Sequence, residues 1–157
     1  MELVTRELIQ EAFGIALPTI RKLCEKYTWG PKGVVIAVAC RSSSLIRKPP
    51  YALCIMEELG PKEGWQDDFL RIVLQKLGVS SRTGRTSHDV ITNKPWLLTG
   101  GDSLYRGAVA EDEGLAVAVS GSYPEIDEAA AWIVFNLIAA LCHMRIRQLR
   151  ETKVNVL

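Results

Sequence analysis

Few residues in this chain have types and spacing that could do chemistry. Arg82, Arg85 and His88 recur at every third position in a polar stretch. On a helix they would share a face, where two guanidinium groups and an imidazole could pair with the carboxylates of an organic acid. In a loop they need not converge, and a solvated loop is the blander account. Ser120-Gly121-Ser122 stands directly before a helical pattern, so its backbone N–H groups offer an anion site at a helix N-terminus. Glu125, Asp127 and Glu128 follow at once and already complement the helix dipole, by ~0.3–1 kcal/mol each. The residues therefore favour a cap there over a phosphate site. Gly121 fits a tight turn that needs φ > 0 or close packing.

Other candidates carry less. The four cysteines, Cys24, Cys40, Cys54 and Cys142, show no CxxC spacing and sit in apolar runs, which reads as reduced core packing in a cytoplasmic protein. Cys142 and His143 are roughly 100° apart on a helix and cannot easily share a metal. Cys24 and Tyr27 fit the apolar stripe of the first helix better than a ligand role. Arg145, Arg147, Arg150 and Lys153 gather where cations suit the negative end of the last helix. HExxH, P-loop and GxSxG patterns are absent, so no reaction can be read and an enzyme is the least favoured class. A net charge of +1 gives no electrostatic case for nucleic acid or membrane.

The elements that must position these residues are legible in outline. At 157 residues, 48% hydrophobic and 24% charged, the chain reads as one globular domain, 1–157, able to bury a core without staples. Thr5 caps a first helix, with Val4 and Ile9 as a hydrophobic staple and an apolar stripe from Ile9 through Phe13, Ala16, Leu17, Ile20 and Leu23 to Tyr27. Pro18 predicts a kink or break, and Trp29 to Gly33 ends the helix. Val34 to Cys40 reads as a strand buried on both faces. A basic loop over 41–50 leads to a second strand at Tyr51 to Met56. After Gly60-Pro61 a helix is expected over Trp65 to Leu77, with Phe69, Ile72, Val73, the stem of Lys76 and Leu77 inward and Gly78 as its stop. A short helix is expected near Ser87 to Thr92, a strand at Trp96-Leu97-Leu98, and a turn at Gly100-Gly101-Asp102. Tyr105 to Ala110 and Leu115 to Ser120 then form a hairpin across 111–114. Ser122 and Glu125 form a capping box for the last helix, which runs to about Arg150.

Residues 129–144 of that helix are almost wholly apolar on every side. They fall short of the ~20 residues that span a bilayer and include Asn136 and His143, so the chain reads as soluble. The first ten residues carry alternating charge and do not read as a signal peptide. One sheet covers only part of such a helix, which predicts a homo-oligomer held by its helices, especially 123–150. Another helix of the same chain is the alternative cover.

Gly100-Gly101, a strand pair, and Leu115-Ala116-Val117-Ala118-Val119-Ser120-Gly121-Ser122-x-Pro124-Glu125-x-Asp127-Glu128-x-Ala130 resemble the closing signature of the GlcG/HbpS-type haem-binding proteins. The same domain closes a class of corrinoid adenosyltransferases. The resemblance covers roughly residues 100–140, and the order of elements agrees over most of the chain. It implies a profilin-like α+β fold, which agrees with the mainly antiparallel five-stranded sheet and packed helices, in the order α-β-β-α-β-β-β-α, expected from the residue pattern. It also implies oligomers that bind haem or a related small molecule; the residues of this chain expected to face a ligand are Arg82, Arg85, His88, Gly100, Gly101, Ser120, Gly121 and Ser122. Haem-holding members look to use a histidine on or near the first helix. Here the two histidines are His88 and His143, which favours the alternative of an interaction module that kept the fold without the haem ligand.

Overall fold

A computed structural model describes residues 3–27, 33–40, 53–60, 68–112 and 114–152, with the backbone alone over 53–57. The expected loop at 41–50, and the chain around 28–32, 51–52 and 61–67, lie outside these residues. Among the described residues four strands form one antiparallel sheet in the order β2-β1-β4-β3: β1 is Val34–Cys40, β2 Leu53–Leu59, β3 Ala108–Ala110 and β4 Leu115–Ser120. Helices α1 (Arg6–Tyr27), α2 (Phe69–Thr83), α3 (Ser87–Asn93) and α4 (Pro124–Glu151) complete an α+β domain.

Alternation of large and small residues builds the layers. In β1 and β4, Val34, Ile36, Val38, Val117 and Val119 join the cluster with α1 and α4. Their neighbours Val35, Ala37, Ala39, Ala116 and Ala118 face Phe69, Val73 and Leu77 of α2. Successive strand residues point to opposite faces, so one VAVA pattern serves two helix layers at once. Alanine on the second face lets α2 lie close. Every residue of β1 is buried, as its unbroken apolar run requires.

Helix α1 begins at Thr5, whose Oγ1 accepts the Leu8 N–H at 3.3 Å, and Val4 packs against the core. Its stripe of Leu8, Ile9, Ala12, Phe13, Ala16, Ile20 and Cys24 is buried. The break expected at Pro18 does not occur. Pro18 and Gly14 both lie on the exposed side, where the Gly14 carbonyl that loses its helical partner can meet water.

Other boundaries also moved. Helix α2 starts at Asp68, which caps the Arg71 N–H at 3.0 Å, and runs past Gly78 to Gly84 at φ 66°. Nothing at Gly78 forces a left-handed turn, and the buried Val79, Ser80 and Ser81 carry the helix on. The fifth strand expected at 96–98 is a 3-10 turn over Pro95–Leu97, set by proline at its first position. Of the strand expected over Tyr105 to Ala110, only Ala108–Ala110 pairs, against Ala116–Ala118 of β4.

Helix α4 buries Asp127, Ala130, Ala131, Val134, Phe135 and Ile138. α1 runs beside it with its start near the end of α4, where Arg145 donates to the Leu3 carbonyl at 3.0 Å and to Thr5 Oγ1 at 3.4 Å. The same chain thus supplies part of the cover that the apolar helix needs. Trp132, Ile133, Leu137 and Leu141 are partly buried, and Met144 is 49% exposed. By length and composition alone α4 could cross a bilayer, yet its buried face is part of the core.

Candidate functional site

Lys76 lies on the inner face of α2 between Val73 and Leu77, where an apolar residue would be ordinary. The whole side chain is buried, not its stem alone, leaving the residue 2% exposed. Its ammonium donates to the Val119 carbonyl and to Asp127 Oδ2, both at 3.0 Å. Asp127 Oδ1 accepts the Ser122 N–H at 2.9 Å. Burial pushes the Asp127 carboxyl up to about 6, opposed by Lys76 and by the amides of Ser122 and Gly121. Taking two charges out of water costs several kcal/mol per ion unless the pair and its hydrogen bonds offset it. Here the Val119 carbonyl serves Lys76, and the amides of Ser122 and Gly121 serve Asp127.

Two glycines make the arrangement fit. The β3–β4 register, Ala108 opposite Ala118, would next set Gly107 opposite Val119. Val119 N–H does donate to the Gly107 carbonyl at 2.8 Å, but the Val119 carbonyl turns to Lys76. Gly107 has φ 128°, and a Cβ there would lie 2.8 Å from the Val119 oxygen and 2.9 Å from Lys76 Nζ. At Gly121, φ is 133° and a Cβ would run into the Gly33 carbonyl. Both positions need glycine.

Beside the pair opens a pocket of about 240 Å³. Phe69, Ile72, Tyr105 and Pro124 give it apolar walls, and Lys76, Asp127, Ser120, Gly121 and Ser122 give it a polar base. Ser122 Oγ is buried there without a hydrogen-bond partner. The expected capping box at Ser122 and Glu125 is not formed. Tyr123 occupies the N-cap with no side-chain bond, Pro124 takes the first helical position, and Asp127 claims the Ser122 amide. The anion at this helix N-terminus is the chain's own carboxylate. Outside the pocket, Arg106 pairs with Glu128 at 2.5 Å and approaches Glu125 at 3.9 Å.

Of the residues expected to face a ligand, Ser120, Gly121 and Ser122 line the pocket, and Arg82, Arg85, His88, Gly100 and Gly101 do not. Arg82 closes the last turn of α2, where it grips both oxygens of Asp102 at 2.6 and 3.3 Å and the Leu97 carbonyl at 3.2 Å. Burial raises Asp102, but the Arg82 contacts and the Thr99 amide outweigh it and hold the carboxyl below its ordinary value. Arg85 pairs with Asp89 at 3.2 Å on the surface. His88 stands exposed on α3, and Gly100 and Gly101 form an exposed turn. Sequence reading missed Lys76, Tyr105 and Gly107. A lysine inside an otherwise apolar helical stripe was the available signal.

Haem does not fit this pocket as the described residues line it. No histidine, cysteine or methionine lines the pocket, Tyr105 is 61% exposed, and about 240 Å³ is below the roughly 300–1,000 Å³ of drug-sized sites. Among the described residues no three of His, Cys, Asp and Glu gather as a metal cluster.

A sheet with helices on both faces makes this an α+β domain, and solved structures share its fold. Protein ORFY of Klebsiella pneumoniae, from the DUF336 family, matches with a TM-score of 0.57 and 18% identity, over 83% of this chain and 89% of that one. The Ybr137w protein matches at 0.52 and 15%, over 80% and 76%. At such identities the likeness establishes the fold, which is consistent with a GlcG-type domain. No family model and no curated protein matches the chain.

Proposed function

We propose that this domain binds a small organic molecule in the pocket between the starts of α2 and α4. One observation carries the reading: a buried ammonium with three donors has two acceptors from the chain, beside a buried hydroxyl with none. Buried polar groups left unsatisfied cost about 1–3 kcal/mol each, so a ligand that meets them is favoured. The apolar walls would hold its body. The haem that the resemblance implies is not the ligand that these residues favour. Screening small fragments by NMR tests the reading, with shifts expected first at the Gly121 and Ser122 amides and lost in Lys76→Met. Fragments that shift only residues elsewhere would overturn it, and haemin should give no saturable Soret change.

We propose further that the chain forms a homo-oligomer through α4, in a reducing, cytoplasmic setting. The half-covered Trp132, Ile133, Leu137 and Leu141 support the assembly, since large apolar residues left partly wet gain from a second copy. Light scattering should give a dimer or larger, and a monodisperse monomer would remove the idea.

A further inference from the structure

Lys76 and Asp127 form a floor with no net charge while both are ionised. One carboxylate, that of Asp127, spans from the Ser122 amide to the Lys76 ammonium, so these residues stand a carboxyl group's width apart. The donors left over are one N–H of Lys76 and the O–H of Ser122. A carboxyl group can accept from two such donors with its two oxygens. Phe69, Ile72 and Pro124 would meet an apolar body, and about 240 Å³ keeps that body small.

Resting on the pocket reading above, we propose that the ligand is a small monocarboxylic acid with an apolar body. It enters together with one proton, which its carboxyl group and Asp127 then share.

The reason is charge. Two carboxylates on one buried ammonium leave a negative charge uncompensated, and carboxylates sharing a site hold a proton between them. The ionisable groups around Asp127 single out where that proton goes. From α2 comes Lys76, already the donor to Asp127. From α1 comes Cys24, whose thiol is pushed up to about 11 by burial and then by the charge of Asp127, so it stays neutral. Arg106, ahead of β3, pairs with Glu128 and approaches Glu125, both on α4. Asp127 is the buried acid left to take the proton, and burial has already moved it upward.

Benzoate and hexanoate serve as probes, with benzamide and benzyl alcohol as uncharged controls. Calorimetry in two buffers of different ionisation enthalpy counts the protons taken up, and NMR reads the Gly121 and Ser122 amides. For the wild-type chain, acid affinity should fall about tenfold per pH unit above neutrality, with one proton taken up per acid. Asp127→Asn should bind the acids about tenfold tighter or more near pH 8, without proton uptake. Acids that bind the wild type with no proton uptake would overturn the sharing, a result that does not depend on any variant folding. Uncharged controls that shift the two amides while the acids do not would overturn the ligand class but leave the pocket standing. No shift from any probe would remove the pocket reading as well.

Discussion

The ammonium of Lys76 and the carboxylate of Asp127 meet at 3.0 Å across 51 residues of chain, joining helices that cover opposite faces of the sheet. They reach each other at the end of the β3–β4 ladder, where Gly107 has no side chain and Val119 gives up its carbonyl. The pair closes the core and forms the floor of the pocket.

Removing one partner should hurt more than removing both. Lys76→Met leaves a buried carboxylate without its counter-charge, a loss of ~3–5 kcal/mol at neutral pH. The double change Lys76→Met with Asp127→Leu should recover most of that, because paired apolar groups leave no buried charge. Urea denaturation of the single and double variants measures both, and a double variant no more stable than Lys76→Met would contradict this account.

Asp127 also sets a pH dependence. Its carboxyl is raised from the ordinary 3.8 to about 6 by burial, so between those values the native state holds more proton than the unfolded state. The contribution is fully present below about pH 4 and is lost as pH rises through about 6, a span of ~3 kcal/mol. The stability difference between wild type and Asp127→Asn, followed by urea midpoints from pH 4 to 7, should move by that order. A flat difference would refute the raised value.

Two glycines should respond very differently to a methyl group. Gly107→Ala forces a side chain at φ 128° into the Val119 oxygen and the Lys76 ammonium, with strain of order 1–3 kcal/mol before the clash is counted. Gly100→Ala meets nothing within 4 Å and should be within about 0.5 kcal/mol of wild type. Thermal unfolding of the two variants makes the comparison.

Arg82 is predicted to hold a segment rather than a ligand. Its side chain is 40% exposed, so Arg82→Ala should cost no more than about 1 kcal/mol. The Thr99 amide, which donates to Asp102 at 2.7 Å, should exchange with solvent faster once Arg82 no longer fixes Asp102. Binding of fragments at the pocket should persist. Loss of that binding would return Arg82 to the site.

Within the described residues, much of the fold was legible in local pattern. The Val/Ala alternation of β1 and β4, the stripe of α1 and the demand for glycine at position 121 each follow from periodicity or backbone sterics. The boundaries of α2 were not, because Gly78 tolerates a helix that buried contacts continue, whereas Gly84 adopts the left-handed cap. The site was half visible. Ser120, Gly121 and Ser122 were placed at a helix start where they line the pocket, but the anion there is Asp127.

By itself the sequence determined which residues of β1, β4 and α1 face the core, since those depend on residues a few positions apart. Only the tertiary structure decided that Lys76 meets Asp127, that Val119 turns its carbonyl from the ladder to an ammonium, and that Arg82 meets Asp102. Periodicity tells which face a side chain occupies. It does not tell which distant residue stands opposite, because that is set by how α2 and α4 pack around the end of the sheet.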